Sequence, residues 1–397
     1  MKIKIQTYGS LLMFACMMAG ASLFLMSCTQ QTVTIGALLP LTGVETSVGQ
    51  SASAAVEIAV EDVNAYLKEK GAAFTIVLKT ADTKADPQTA LEEAKKLKAA
   101  GIDLFIGPIT SNETAYVIDW ANDNGTVLIS QCTAPFLAIA DDNLFRLTID
   151  DTHQAEEIVT TMRSEGMKAI VPVYRFDVYA MQLLSLVKED LAADKEILTD
   201  GVPYVYGAVE LSAVVSQLSQ AVQKEVSQYG ASAVGVYLVA FDEGAEILAL
   251  AKDDPVLSGI AWYGSDSLAL DSSLIDNAAA GQFAANRQIV FPAFESDGGV
   301  DKDILAKIQN KIGRYPESEA LQAYDAVWIA ALAYLNAGMR ADANALKAAI
   351  PTVAGEYTGA TGTTKLNNAG DRADGTYAYW AVKENGGQLQ WTRQESP

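Results

Sequence analysis

The sequence predicts an α/β protein built on two parallel sheets, and two observations carry that prediction. Short β-branched runs alternate with helical patterns from residue 32 to about residue 263. Strands that alternate with helices imply parallel sheets covered on both faces. The rhythm breaks once, between residues 134 and 151, where the chain reads as a crossing from one sheet to the other.

The elements follow in order. Residues 32–39, Thr-Val-Thr-Ile-Gly-Ala-Leu-Leu, read as a buried strand. Residues 50–70 read as a helix with Ala55, Ile58, Ala59, Val63 and Leu67 on one face. Residues 74–78 are the next strand. Asp86 and Pro87 open another helix, with proline at the first helical position, where no donor is lost. Residues 103–106 and 126–129 are two more strands with a helix between them. The same rhythm resumes with strands at 168–173, 232–238 and 259–263. No low-complexity linker or short-period repeat interrupts it.

The amino terminus carries a separate signal. Lys2 and Lys4 precede an apolar run of about 16 residues that ends in Leu25-Met26-Ser27-Cys28. A charged start, an apolar run and a small residue before cysteine form a lipoprotein signal, residues 1–27, with Cys28 as the lipidated residue. The run is too short for a membrane span, which needs roughly 20 residues. The expected location is extracytoplasmic, periplasm or cell surface, tethered to a membrane through Cys28. Cys16 leaves with the signal, so Cys132 is the only free cysteine and no internal disulfide can form. The remaining 370 residues carry a net charge of −23, which argues against nucleic acid and against anionic lipid surfaces as partners. A chain of this length has room for two domains, each with its own core.

In open α/β sheets ligands bind outside the carboxyl ends of strands. Three such loops stand out: residues 107–113, 130–135 and 264–267. Thr110-Ser111-Asn112-Glu113 fits a capping box. A helix start also offers free N–H groups and a partial positive charge to a carboxylate, and the Ser111 hydroxyl adds a donor. Thr133, at the next strand end, can donate to the same anion. Asp266 can cap a helix or serve as counter-ion to a ligand ammonium. An anion site in one lobe and an acid in the other suit a zwitterion. Tyr174, Phe176, Tyr179, Phe241, Trp262 and Tyr263 cluster near strand ends of the second half; most belong to the core, and one or two can line a pocket.

Enzyme chemistry finds little support. His153 is the single histidine, so any Ser-His-Asp relay must use it, and it sits in Asp151-Thr152-His153-Gln154, an exposed helix start. No His/Cys/carboxylate cluster has metal spacing, and no phosphate-cradling glycine loop occurs, so neither a metal nor a cofactor is expected. Asp141-Asp142 and Asp253-Asp254 lie in expected turns and read as solvated.

Several segments resemble the leucine/isoleucine/valine (branched-chain amino acid) substrate-binding proteins of ABC importers, which have the type I periplasmic binding fold. They are Ile35 to Gly43 with Gly49, Asp82 with Asp86-Pro87, and Gly107-Pro108 with Ser111. Further on come Ser130 with Thr133 and Pro135, Phe145-Arg146 with Asp151 and Gln154, Gly313-Arg314-Tyr315-Pro316, Tyr324-Asp325, and Gly370-Asp371-Arg372. Their order and spacing carry the resemblance over nearly all of the mature chain.

The resemblance implies two Rossmann-like lobes joined by three crossings, with a ligand cleft between them. Residues 32–150 with 292–355 would form the first lobe, and 151–291 with 356–397 the second. It implies that Ser111 and Thr133 take a ligand carboxylate, that backbone near Cys132 and the Asp266 side chain hold its amino group, and that Tyr179 closes over the ligand beside Phe241. The implied function is capture of an amino acid, branched-chain or otherwise apolar, by lobe closure and its delivery to an ABC permease, with no covalent chemistry and a monomeric chain. A sensing lipoprotein of the same fold is the alternative, as is a binder of an amide, urea or an aromatic acid. The chain departs from the family pattern at Val48, Gln131, Cys132 and Ala180 and by one deleted residue in the 130–135 loop, all around the pocket.

Overall fold

The computed structural model describes residues 31–193, 195–296 and 299–395; the amino-terminal signal and Cys28 lie outside the described residues. The first sheet holds β1 (Gln31–Leu39), β2 (Phe74–Asp82), β3 (Leu104–Ile106), β4 (Val127–Ser130) and β5 (Leu144–Arg146) in the order β2-β1-β3-β4-β5, all parallel. The helices α1 (Thr46–Glu69), α2 (Pro87–Ala99) and α3 (Ser111–Asp123) connect its strands. After α4 (Asp151–Ser164) the second sheet follows: β6 (Ala169–Arg175), β7 (Ile197–Leu198), β8 (Val202–Tyr204), β9 (Val234–Val239) and β10 (Ala261–Gly264). Its order is β10-β9-β6-β7, with β8 also paired to β6, again all parallel. α5 (Val178–Ala193), α6 (Leu211–Tyr229), α7 (Gly244–Ala251), α8 (Ser272–Asp276) and α9 (Ala278–Arg287) accompany it.

The chain then returns through β11 (Phe291–Glu295) to α10 (Lys302–Ile312), α11 (Ser318–Ala337) and α12 (Ala343–Glu356). It ends with the short pair β12 (Thr358–Gly359) and β13 (Gly362–Thr363), then β14 (Thr376–Asn385) and β15 (Gln388–Arg393). β14 lies between β11 and β15 in an antiparallel sheet that packs on the second lobe's helix α9.

Both sheets are buried on both faces, which is why β3, β4 and β9 hold no exposed residue. On one face of the first sheet the small side chains of α1 (Ala52, Ala55, Ala59) meet those of α11 (Ala323, Ala326, Ala330), so the two helices approach closely. The start of α1 needs a glycine. A Cβ at Gly49 would lie 1.9 Å from the Pro40 carbonyl oxygen, in the turn that leaves β1. Gly107 has the same role after β3: its φ is +88° and a Cβ would meet the Leu38 carbonyl at 2.3 Å.

Three crossings join the lobes, and side chains brace them. Arg146 in the first crossing makes a bidentate pair with Asp371 in the third, Nε to Oδ1 at 2.5 Å and Nη2 to Oδ2 at 2.7 Å. The Arg372 guanidinium lies over the ring of Phe294 in the second crossing, 4.9 Å from its centroid.

The structure revises some expectations. Residues 134–151 are more than a crossing: Leu144–Arg146 adds a fifth strand before the chain leaves the sheet. Three residues are too few to show a periodic signal. Asp142 is half-buried rather than solvated. Its Oδ1 accepts the Leu144 N–H, and burial pushes its carboxyl up to about 6. Phe176 is 55% exposed, while Trp262 and Tyr263 are core residues. Pro87 does stand at the first turn of its helix, capped by Asp86, and the His153 side chain is 54% exposed.

Candidate functional site

The first sheet's order reverses between β1 and β3, and the second sheet's between β6 and β9. At such switch points two loops diverge and leave a crevice at the carboxyl ends of the strands. Here the two crevices face each other. One cleft forms between them, with about 370 Å³ of empty space. It holds less empty space than three other hollows among the described residues, at about 820 to 980 Å³ each. Ser111, Cys132, Thr133, Tyr179, Phe241 and Asp266 all line it, each from a loop or helix start that follows a strand.

The wall from the first lobe begins with the capping box. Thr110 Oγ1 accepts the Glu113 N–H at 3.2 Å, and Glu113 Oε2 accepts from Thr110 N and Oγ1 at 3.3 and 2.7 Å. This fixes the start of α3 and sets Ser111 at the cleft. Ser111 Oγ accepts the backbone N–H groups of Thr133 and Ala134 at 3.3 and 3.2 Å. A serine hydroxyl accepts two bonds and donates one. With both acceptor positions taken, its proton is left to donate into the cleft, where the α3 start adds its partial positive charge.

Cys132 lines the cleft beside Thr133. Its thiol packs in the core with Leu128 and Leu137, and burial pushes it up and keeps it neutral. Its carbonyl accepts from Arg146 Nη1 at 3.5 Å.

The opposite wall centres on Asp266. Tyr179 Oη donates to Asp266 Oδ1 at 2.5 Å, and the Asp266 N–H donates to Gln154 Oε1 at 3.0 Å. Gln154 Nε2 in turn donates to Asp151 Oδ1 at 3.0 Å, and the Asp151 N–H donates to the Thr133 carbonyl at 2.9 Å. One run of hydrogen bonds therefore links the acid of the second lobe to the hydroxyl site of the first. Tyr179 and Phe241 stack at 6.0 Å and form an apolar side of the cleft.

The lobes also meet at the start of α1. Glu45 N–H and Thr46 N–H donate to the two carboxylate oxygens of Asp242, from the loop after β9, at 3.1 and 3.2 Å. This contact brings Glu45 into the cleft wall. Glu319, in the first turn of α11, enters from the returning segment.

The electrostatics are one-sided. Burial raises the carboxyl of Asp266 above the usual range, and burial and then Asp266 raise that of Asp151, against the opposing pull of Arg146. Burial, then Asp242 and Asp271, raises Glu45 well above it. Burial and then Asp266 push Glu319 up to about 8. Among the described residues no His, Cys, Asp and Glu side chains are grouped to hold a metal ion.

Sequence reasoning named neither Glu45 nor Glu319 as a site residue. Glu45 follows β1 and was open to the strand-end rule. Glu319 sits at a helix start on a segment remote from both sheets' loops and carries no local signal.

The profile described as "Receptor family ligand binding region" matches residues 51–385. An uncharacterized protein of Methanocaldococcus jannaschii is 28% identical over 378 residues, 91% of this chain and 89% of that protein. The Leu/Ile/Val-binding protein BraC3 of Rhizobium johnstonii is 26% identical over 357 residues, covering 86% of this chain and 91% of its own. Among solved structures, the branched-chain amino acid transporter substrate-binding protein LivJ from Streptococcus pneumoniae, in complex with isoleucine, superposes with a TM-score of 0.71. The match covers 92% of this chain and 100% of that one at 19% identity.

Proposed function

The chain belongs to the family of receptor ligand-binding regions and has the type I periplasmic binding fold, and on that premise we propose that it captures an amino acid between its lobes and passes it to an ABC permease. One observation carries the proposal. A hydroxyl and helix-start site at Ser111 and Thr133 faces the buried acid Asp266 across a single cleft. That arrangement suits the two ends of a zwitterion, since neither ion can be buried without a partner except at high cost.

In this reading the lobes are residues 32–150 with 292–355 and 151–291 with 356–397. They close on the ligand by hinge motion at the braced crossings. Ser111 and Thr133 donate to the carboxylate, Asp266 accepts from the ammonium, and Tyr179 and Phe241 cover the apolar part. The chain acts outside the cytoplasm as a monomer held to a membrane by lipid on Cys28, and its work is binding rather than catalysis. The relatives support the amino-acid class. A sensing role shares every feature of the site and differs only in the partner that reads the closed lobes.

The test is thermal unfolding of the full chain, first stripped of retained ligand by unfolding and refolding, scanned against amino acids and small carboxylates. A ligand at about 100 times its dissociation constant adds roughly 2.7 kcal/mol and raises the midpoint. A rise with α-amino acids supports the reading. A rise only with an uncharged amide or an aromatic acid overturns the zwitterion site. Cys28→Ala should release the protein from membranes, and retention there would refute the anchor.

A further inference from the structure

The cleft holds more acids than an amino acid's ammonium can use. Its lining includes three acids, Glu45, Asp266 and Glu319, and no lysine, arginine or histidine. In the reading above, Asp266 pairs with the α-ammonium, which leaves Glu45 and Glu319 as further acids in the same cleft. Of the protein's own nearby cations, Arg146 is held by Asp371 at 2.5 Å and Arg314 by Glu317 at 2.8 Å, while Arg175 lies 3.4 Å from Asp177 with its guanidinium over the Phe241 ring, 5.0 Å from the centroid.

A second observation points to a further ligand group in the cleft. Gln131 is 3% exposed, lines the cleft, and neither its Oε1 nor its Nε2 has a hydrogen-bond partner. Glu45 is 4% exposed, and its Oε1 is buried without a partner. Glu319 Oε2 accepts from Ser318 Oγ at 3.2 Å, and the carboxyl also takes a bond from its own backbone N–H. Buried polar atoms without partners are rare, because each costs its full desolvation. The open acceptor oxygens of Glu45 and Gln131, with the carboxyl of Glu319 in the same cleft, match a donor-rich cation. An ammonium brings three N–H donors and a guanidinium five, and neither accepts.

We infer that the ligand carries a second positive charge on its side chain, which Glu45, Glu319 and Gln131 bind, so that the solute is a dibasic amino acid. This rests on the zwitterion reading for the ligand's other end. Ile109 and the stacked rings of Tyr179 and Phe241 supply the apolar contact for the methylene stem. An apolar side chain in the same place would leave both glutamates facing hydrocarbon, each obliged to keep a proton. A cation instead draws that proton off, so binding at pH 7 releases protons.

The experiment is calorimetric titration at pH 7 of the full, ligand-stripped chain with L-lysine, L-arginine, L-leucine and 1,4-diaminobutane, in two buffers of different ionisation enthalpy. L-lysine or L-arginine should bind at least tenfold more tightly than L-leucine and release protons. Glu45→Gln and Glu319→Gln should each weaken that binding at least tenfold and shift the ratio of dibasic to L-leucine affinity toward L-leucine. Tighter binding of L-leucine than of either dibasic acid, or full dibasic affinity in both variants, overturns the inference. Binding of the diamine but of no α-amino acid would refute the zwitterion end and keep the second cation site. Binding of L-leucine alone would do the reverse, and binding of none would refute both.

Discussion

Removing Asp371 tests how firmly the lobes and the ligand loop are held. Arg146 and Asp371 side chains are 1% and 5% exposed, and they share two bonds of 2.5 and 2.7 Å. Asp371→Ala leaves a guanidinium in the interior with only the Ala134 carbonyl at 2.8 Å and the Cys132 carbonyl at 3.5 Å. Breaking a buried pair on one side costs about 3–5 kcal/mol, because the remaining charge has lost its partner. Asp371→Asn keeps an acceptor and should cost about half as much, near 2 kcal/mol. Replacing both residues, Arg146→Met with Asp371→Leu, should recover most of the loss, since an apolar pair of similar volume is often no worse than a buried ion pair. The assay is urea unfolding followed by tryptophan fluorescence, with the midpoint and slope compared at constant protein concentration. There should also be a functional cost. Arg146 bonds the Ala134 carbonyl, and Ala134 donates to Ser111, so a looser Arg146 weakens ligand binding from outside the cleft. If Asp371→Ala costs less than about 1 kcal/mol, or if the double variant is no more stable than the single one, the account of the crossing as a desolvated charge pair is wrong.

Asp266→Ala should lower amino-acid affinity by more than about 100-fold, since truncating one side of a buried charge pair costs about 2–5 kcal/mol; unchanged binding by titration calorimetry would remove the ammonium assignment. The unliganded chain should lose stability as pH rises from the unfolded glutamate value near 4.5 toward 8. A carboxyl raised to about 8 in the fold binds its proton more tightly folded than unfolded, so ionisation above the unfolded value works against the fold. Glu319→Gln should flatten that slope in melting scans across pH, and a slope identical to wild type would contradict the burial of this group. Gly49→Ala should destabilise by about 3 kcal/mol, because its Cβ meets a backbone oxygen that cannot move aside; a melting point within 2 °C of wild type would show that the turn after β1 is slack.

The strand-end rule explains why so much of the cleft was legible. Parallel strands read as short β-branched runs, and the loops at their carboxyl ends are the places where side chains can converge. The loops after β3, β4 and β10 were found that way, and the family resemblance added Tyr179 and Phe241 after β6 and β9. Arg146, Asp151, Gln154 and Asp371 were noticed only as parts of a matching pattern. Their pairing depends on contacts across as many as 225 residues, which no local period records. Cys132 shows the reverse limit. Its position placed it at the cleft, but whether its thiol or its backbone faces the ligand depends on how the loop after β4 packs the thiol with Leu128 and Leu137.

The alternation of strands and helices is local and periodic, so the sequence alone determined the α/β class, the parallel sheets and the capped helix start at Ser111. Burial is not local. Glu45 and Glu319 are ordinary acids in the sequence and become unusual only when the lobes meet. Asp242 of the second lobe then caps α1 of the first, and the returning α11 brings Glu319 beside Asp266. The one-signed cleft was decided by tertiary structure, because the energy of a carboxylate is set by what surrounds it in space.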